Sequence, residues 1–296
     1  MSTPPPAIRI ESLYKSFGGR PAITDISINV ARGEIFGLLG HNGAGKSTTL
    51  GILLGMVAAD RGQTFVGEEP VQTRRAAALS KVGAIFETPC FYDYLSGWEN
   101  MIFFVSLSGV IPSKEECLRV VGMVGLQDRI HDKVRSYSHG MRQRLGLAQA
   151  LLPQPEVLIL DEPTDGLDPL GIHEMRTLIR HLRDTDGMTV ILSSHLLSEV
   201  EQLCDRVAIL HEGRMVFCGT WQRSEALYQF SGNPQSLLDS TLTDLGLKRS
   251  GPLWAAPKDF DPATAVAALV SAGVGVREVA LRPRTLEDFY METVGQ

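Results

Sequence analysis

The stretch that most constrains this chain is Gly40-His41-Asn42-Gly43-Ala44-Gly45-Lys46-Ser47-Thr48, which follows Glu34-Ile35-Phe36-Gly37-Leu38-Leu39 and leads into Thr49-Leu50-Gly51-Ile52-Leu53-Leu54. The order is strand, loop, helix. Glycines placed where the backbone must bend and come close leave a nest of N–H groups uncovered by Cβ atoms, and the following helix points its positive end at an anion. In such a loop Lys46 reaches the β and γ phosphates and the Ser47 hydroxyl ligates Mg²⁺, so residues 40–48 read as a cradle for a nucleoside triphosphate.

A chain of 296 residues at 44% hydrophobic content has room for one large domain or two. Its formal charge of −6, from 28 basic and 34 acidic residues, argues against nucleic-acid binding by bulk electrostatics. Cys90, Cys117, Cys204 and Cys218 are scattered without a CxxC pair. They suggest neither a zinc site nor a disulfide framework, and a reduced cytosolic compartment fits them. Residues 1–6 lack the basic-then-apolar pattern of a signal peptide and read as a loose tail. The longest near-apolar stretch, Met101 to Ile111, is about half of what a bilayer-spanning helix needs.

Residues 7 to 33 read as short strands and turns, with alternation at Ile8-Arg9-Ile10 and from Ile23 to Val30. An aromatic at Tyr14 or Phe17 either stacks on a base or is a half-buried strand residue, and spacing alone leaves both open. Lys81 to Phe86 is a strand that ends at Glu87, an acid placed to face a ligand in an open α/β sheet or simply solvated. From residue 90 to about 152 the pattern is helical, with helices at Trp98 to Val110, Lys114 to Val124 and Met141 to Leu152, and is read as a separate lobe. Phe91, Tyr92, Tyr94, Trp98, Phe103 and Phe104 concentrate six of the chain's twenty aromatics in fourteen residues of it, for internal packing or for docking another protein. Ser138 and Gly140 at the start of its last helix offer a hydroxyl and free N–H groups, a second anion site or an ordinary N-cap.

Val157-Leu158-Ile159-Leu160 is the continuous apolar run of a buried parallel strand, and it stops at Asp161-Glu162. In a protein with such a phosphate loop the first acid holds Mg²⁺, and the second is aimed to orient and deprotonate the attacking water. Another buried strand, Thr189 to Ser193, ends at Ser194-His195, where an imidazole can hydrogen-bond the γ-phosphate. Arg206 to Cys218 is a hairpin turning at Glu212-Gly213. Beyond Gln222, helix starts at Asn233-Pro234 and Asp261-Pro262, apolar stretches around Tyr228, Leu253-Trp254 and Val274 to Leu281, and a short closing helix at Thr285 to Tyr290 read as a small α/β unit without catalytic residues.

Taken in order, these residues resemble the ATP-binding subunit of ATP-binding cassette (ABC) transporters, from residue 7 to about 221. Gly40 to Thr48 is similar to the Walker A loop, Val157 to Glu162 to Walker B, Thr164 to Asp168 to the D-loop, and His195 to the switch histidine. Ser138-His139-Gly140-Met141 stands where the family has its LSGGQ signature. Lys15-Ser16-Phe17-Gly18 matches the family's Lys-x-Tyr-Gly, which selects Phe17 as the adenine-stacking ring. Three departures stand out: His139 and Met141 in the signature, Glu87 in place of the Q-loop glutamine, and Asp165 in place of the D-loop's Asn or Ser. Glu87, Pro89, Phe91 and Tyr92, with the altered signature, resemble the subgroup that exports bacitracin or lantibiotic peptides.

The resemblance implies an α/β fold: a P-loop NTPase (RecA-like) core with an antiparallel β subdomain, an inserted helical subdomain at about 88–152 and a C-terminal extension over 222–296. It also implies a head-to-tail homodimer with each ATP and its Mg²⁺ between Walker A of one copy and Ser138 and Gly140 of the other. Catalysis would fall to Glu162, His195 and Lys46, nucleotide contacts to Phe17, residues 40–48, Ser138 and Gly140, and metal ligation to Ser47, Glu87 and Asp161. The implied partner is an integral membrane permease, not nucleic acid, with the chain cytoplasmic and peripheral on the inner face of the cell membrane. The competing readings are a soluble cassette ATPase acting on ribosomes or DNA, which usually carries tandem cassettes, a coiled coil or basic segments, and an ATP-binding module without catalysis, against which both Asp161 and Glu162 count.

Overall fold

The computed structural model describes residues 5–220, 227–257, 260–282 and 285–294. The chain divides into two compact units, Met1–Thr220 and Trp221–Gln296. The expected boundary near 221, and the first four residues of the expected tail, lie outside the described residues.

The first unit opens with a hairpin, β1 (Ile8–Phe17) and β2 (Arg20–Val30), followed by β3 (Ile35–Leu39), α1 (Lys46–Leu53), β4 (Arg61–Val66), β5 (Glu69–Pro70), α2 (Arg75–Leu79) and β6 (Val82–Ile85). It then becomes helical through α3 (Gly97–Leu107), α4 (Lys114–Met123) and α5 (His139–Leu151). The chain returns through β7 (Val157–Asp161), α6 (Pro169–Asp186), β8 (Thr189–Ser194), α7 (Leu197–Leu203) and the hairpin β9 (Arg206–His211) and β10 (Arg214–Gly219). An antiparallel sheet runs β2-β1-β4-β5, and a six-stranded sheet runs β10-β9-β3-β8-β7-β6, parallel except where β10 folds back on β9.

Every residue of β3, β7 and β8 is buried, as expected of central parallel strands covered on both faces. One core joins Ile8, Ile28 and Val66 of the antiparallel sheet to Phe36, Ile159, Ile191 and Ala208 of the parallel one and to Leu50 of α1. The helices start where short polar side chains satisfy free N–H groups. Ser96 and Glu99 form a reciprocal capping box at α3, and the Ser138 hydroxyl accepts from Met141 N at α5. Asp168 accepts from Gly171 N ahead of Pro169 at α6. These caps explain why α5 and α6 begin two or three residues before the apolar spacing starts at Met141 and Ile172. Helix α6 buries Met175, Ile179 and Leu182 along one stripe and stops at Gly187, which has φ of 64°. The two-residue β5 and five-residue α2 were not anticipated, because neither is long enough to show a period.

In the second unit β11 (Leu227–Asn233), α8 (Gln235–Asp244), β12 (Lys248–Ser250), β13 (Leu253–Ala255), α9 (Pro262–Ser271) and β14 (Gly275–Leu281) precede α10 (Leu286–Val294). The sheet order β12-β13-β11-β14 is antiparallel at each pairing, so the small extension is a split βαββαβ of ferredoxin-like topology. Phe230, Trp254, Leu238, Leu242 and Leu269 form its core. Asp261 caps α9 through Ala263 N and Thr264 N, and these bonds, led by that of the Thr264 hydroxyl, hold its carboxyl below the usual range.

Candidate active site

Strand register sets the site. Leu39 of β3 pairs with Ser194 of β8, and Ser193 of β8 pairs with Asp161 of β7. Three adjacent strands therefore end level, and the residues that follow them, Gly40, His195 and Glu162, emerge on one rim. Such a rim, at the carboxyl ends of parallel strands, is where open α/β sheets bind ligands.

Two glycines of the loop are demanded by space. A Cβ at Gly40 would stand 2.5 Å from the Leu210 carbonyl oxygen, and Gly45 has φ of 104° with a would-be Cβ 2.7 Å from Ile23 Cγ2. The loop is tied down by Ala44 N donating to His41 O at 3.1 Å and Gly213 N donating to Ala44 O at 3.2 Å. The β9–β10 turn thus braces it from below. His41, Asn42 and Gly43 are exposed, Gly40, Ala44 and Gly45 are buried, and the His41 ring meets His211 edge-on at 5.3 Å. Ser47 is exposed and Thr48 half-buried in the first turn of α1.

Lys46 is only 4% exposed, and its Nζ donates to Gly40 O at 2.7 Å and to His41 O at 3.3 Å. It also lies 3.2 Å from Glu162 Oε1. A buried ammonium needs such partners, since leaving it unpaired costs several kcal/mol, about the scale of an isolated buried charge. The other carboxylate oxygen of Glu162 bonds His195 Nδ1. Glu162 itself has φ of 49°, a left-handed conformation uncommon for a non-glycine residue, which turns it off the line of β7. Asp161, also 4% exposed, accepts from the Ser193 hydroxyl, and Ser193 Oγ in turn accepts from Glu162 N at 2.9 Å. Ser193 thus positions both acids. Nothing in a polar residue at the end of an apolar strand marks it for that role in the sequence.

Lys46, Glu162 and His195 are therefore in direct contact, with Asp161 joined through Ser193. The other expected residues stand elsewhere. Phe17 ends β1, 52% exposed, with Lys15 Nζ 5.3 Å from its ring centroid, while Tyr14 is half-buried. Asp60 holds that corner, accepting from Lys15 Nζ at 3.0 Å and from Ser16 N at 2.7 Å, and these bonds keep its carboxyl below the usual range. Glu87 follows β6 at the sheet edge, exposed, with φ of 58°, and the bonds that join Lys46, Asp161, Glu162 and His195 do not include it. Ser138 and Gly140 open α5, at the end of a segment braced by Tyr137. The Tyr137 hydroxyl donates to Arg129 O at 2.8 Å, and burial pushes its pKa up to about 12. Desolvation pushes the thiol of half-buried Cys204 up, which disfavours the reactive thiolate.

A phosphate loop after the middle strand, acids ending a neighbouring strand and an inserted helical lobe define the class as a P-loop ATPase with a cassette architecture. Residues 23–165 match the family described as "ABC transporter". The chain is 41% identical, over 98% of its length and 96% of the relative's, to the uncharacterised ABC transporter ATP-binding protein YhcH of Bacillus subtilis. It is 36% identical to the bacitracin transport ATP-binding protein BcrA of Bacillus licheniformis over 97% of both chains. The lantibiotic transport ATP-binding protein SrtF of Streptococcus pyogenes is 40% identical over 76% of this chain and 96% of its own. Among solved structures, cbiO1 from Clostridium perfringens, part of an ABC transporter complex, superposes with a TM-score of 0.66 at 28% identity over 73% of this chain and 89% of that one. The chain belongs to the ATP-binding proteins of ABC transporters. Its activity is ATP hydrolysis, and its function is that of a transporter's ATP-binding subunit. Among the described residues no helix is long and apolar enough to cross a membrane.

Proposed function

We propose that this subunit powers export of a peptide-like cargo through a separate integral membrane permease, as a homodimer that closes head to tail on two ATP molecules at the inner face of the cell membrane. The observation that carries this reading is the near full-length likeness to the bacitracin transport ATP-binding protein. An exposed aromatic patch on the helical lobe supports it: Tyr92 packs its ring on Tyr94, Phe103 and Phe104, and Tyr94 remains 65% exposed. Leu107, one turn beyond Phe103 on α3, is exposed as well. Exposed aromatic clusters of this kind suit a protein interface better than solvent.

At the nucleotide, Phe17 stacks on the base, the N–H groups of residues 40–48 and Lys46 hold the phosphates, and Ser138 and Gly140 of the second copy close the seam. Glu162 takes a proton from the attacking water, and His195, already bonded to Glu162, steadies the γ-phosphate. The Lys46–Glu162 pair means that phosphate and carboxylate compete for one ammonium, so seating ATP frees Glu162 for water. The hydroxyl of Ser47 and the carboxylate of Asp161 are the hard oxygen donors Mg²⁺ requires, with Glu87 as a further ligand. An ion held by these residues would supply positive charge to offset that of the phosphates.

Affinity purification of the full chain from membranes is expected to bring down a hydrophobic multi-span protein that raises ATP turnover. Recovery of ribosomal particles or DNA in its place would favour the soluble reading. Phe17→Ala is expected to weaken ATP binding about tenfold, the loss of one base–aromatic stack. Titration with a fluorescent ATP analogue reads this directly, and an unchanged affinity removes Phe17 from the base contact.

A further inference from the structure

The first turn of α5 grips the loop that carries the catalytic acids. His139 Nε2 lies 3.0 Å from the backbone oxygen of Asp165. A carbonyl only accepts, so Nε2 carries the proton and donates. The Nε2 edge of the ring also abuts the turn beyond: Gly166 has φ of 70°, and a Cβ there would stand 3.2 Å from His139 Nε2. A Cβ at Gly140 would likewise stand 3.5 Å from Leu167 Cδ2. The same loop is fastened to the core by Asp165 N donating to Glu162 O at 3.1 Å, and by the Thr164 hydroxyl bonding the buried carboxylate of Glu199. Oxygens of Glu162 and Asp165 and a ring nitrogen of His195 lie within 4.8 Å of one another. A short bonded path therefore runs from His139 to the backbone oxygen of Asp165 and from the backbone N–H of Asp165 to the backbone oxygen of Glu162. It joins two of the positions at which this chain departs from its family's pattern.

We propose that His139 is a positioning residue that ties the first turn of α5 to the catalytic loop of its own subunit. Seating of the partner copy's ATP against Ser138 and Gly140 then sets the Glu162 geometry in this copy. His139 thereby couples the two ATP sites. The inference rests on the reading above that Ser138 and Gly140 meet the second copy's nucleotide and that Glu162 faces the attacking water.

The test compares the full-length parent with His139→Leu, which keeps the bulk and loses the donor, and with His139→Gln, whose amide can donate to the same carbonyl. Steady ATP turnover is measured against ATP concentration, together with ATP-dependent dimerisation of each form carrying Glu162→Gln. The Leu form is expected to lose about tenfold in kcat, with KM within about twofold and a less sigmoidal ATP dependence, while dimerising as the parent does. The Gln form is expected to recover most of the rate. Parental kcat in the Leu form, a loss equally deep in the Gln form, a loss falling on KM, or a melting temperature well below the parent's would each overturn the proposal. A fully active His139→Leu removes the His139 link and leaves Glu162's role standing. A fully active Glu162→Gln removes that role first.

Discussion

Glu162→Gln is expected to retain ATP binding and to lower turnover by about two to three orders of magnitude, leaving a dimer that persists in Mg-ATP. Positioned general bases contribute about that much, and the amide cannot accept the proton. The size of the effect follows from the contacts. Glu162 divides its two oxygens between Lys46, at 3.2 Å, and His195. The amide keeps a side chain of the same shape on the same left-handed backbone while removing the charge. With the carboxylate gone, the phosphates meet no competitor at Lys46, so affinity is expected to hold or rise. Single-turnover hydrolysis separates the step from binding, and sedimentation of the ATP-saturated variant reads the dimer. A variant that turns over at the parent rate would take Glu162 out of the base role.

Lys46→Ala is expected to weaken ATP binding by at least about a hundredfold, because it deletes charge-assisted bonds to two phosphates at once. Lys46 is 4% exposed and bonded to the loop carbonyls of Gly40 and His41, so the loss has a second component. Those carbonyls lose their donor, the Gly40–Gly45 bend loses its internal brace, and Glu162 loses its counter-charge. Calorimetric titration with Mg-ATP measures the affinity, and thermal melting of the same samples measures the brace. Unchanged affinity would contradict the phosphate role of the loop.

Much of this architecture was readable because its signals are local. A glycine-rich loop between an apolar strand and a helix, an apolar run that stops at two acids, and a run that stops at a histidine each sit within ten residues. The physics that makes them is equally short in range, since backbone space, strand burial and helix capping depend on near neighbours. The spacing of apolar residues likewise announced the helical lobe, and the Asp261-Pro262 start of α9 could be read from the cap it needs. Helix α6 begins ahead of its buried stripe, because Asp168 caps it and Pro169 opens it. The aromatics of residues 91–104 left packing and docking open, and the structure shows the packing: rings stacked on one another, with Tyr94 and Phe103 still in solvent.

What the sequence determined by itself is the chemistry present at each strand end and the class of ligand that chemistry fits. What only the tertiary structure decided is which ends meet. Residues 39, 161 and 194 are joined by strand register, and no local signal encodes that β8 lies between β3 and β7. Ser193 as the bridge between Asp161 and Glu162, Glu162 as the counter-ion of Lys46, and His139 as the donor to Asp165 are consequences of that order. Contacts between residues far apart in the chain depend on the closure of the whole sheet, whereas a loop or a cap depends only on the few residues that form it.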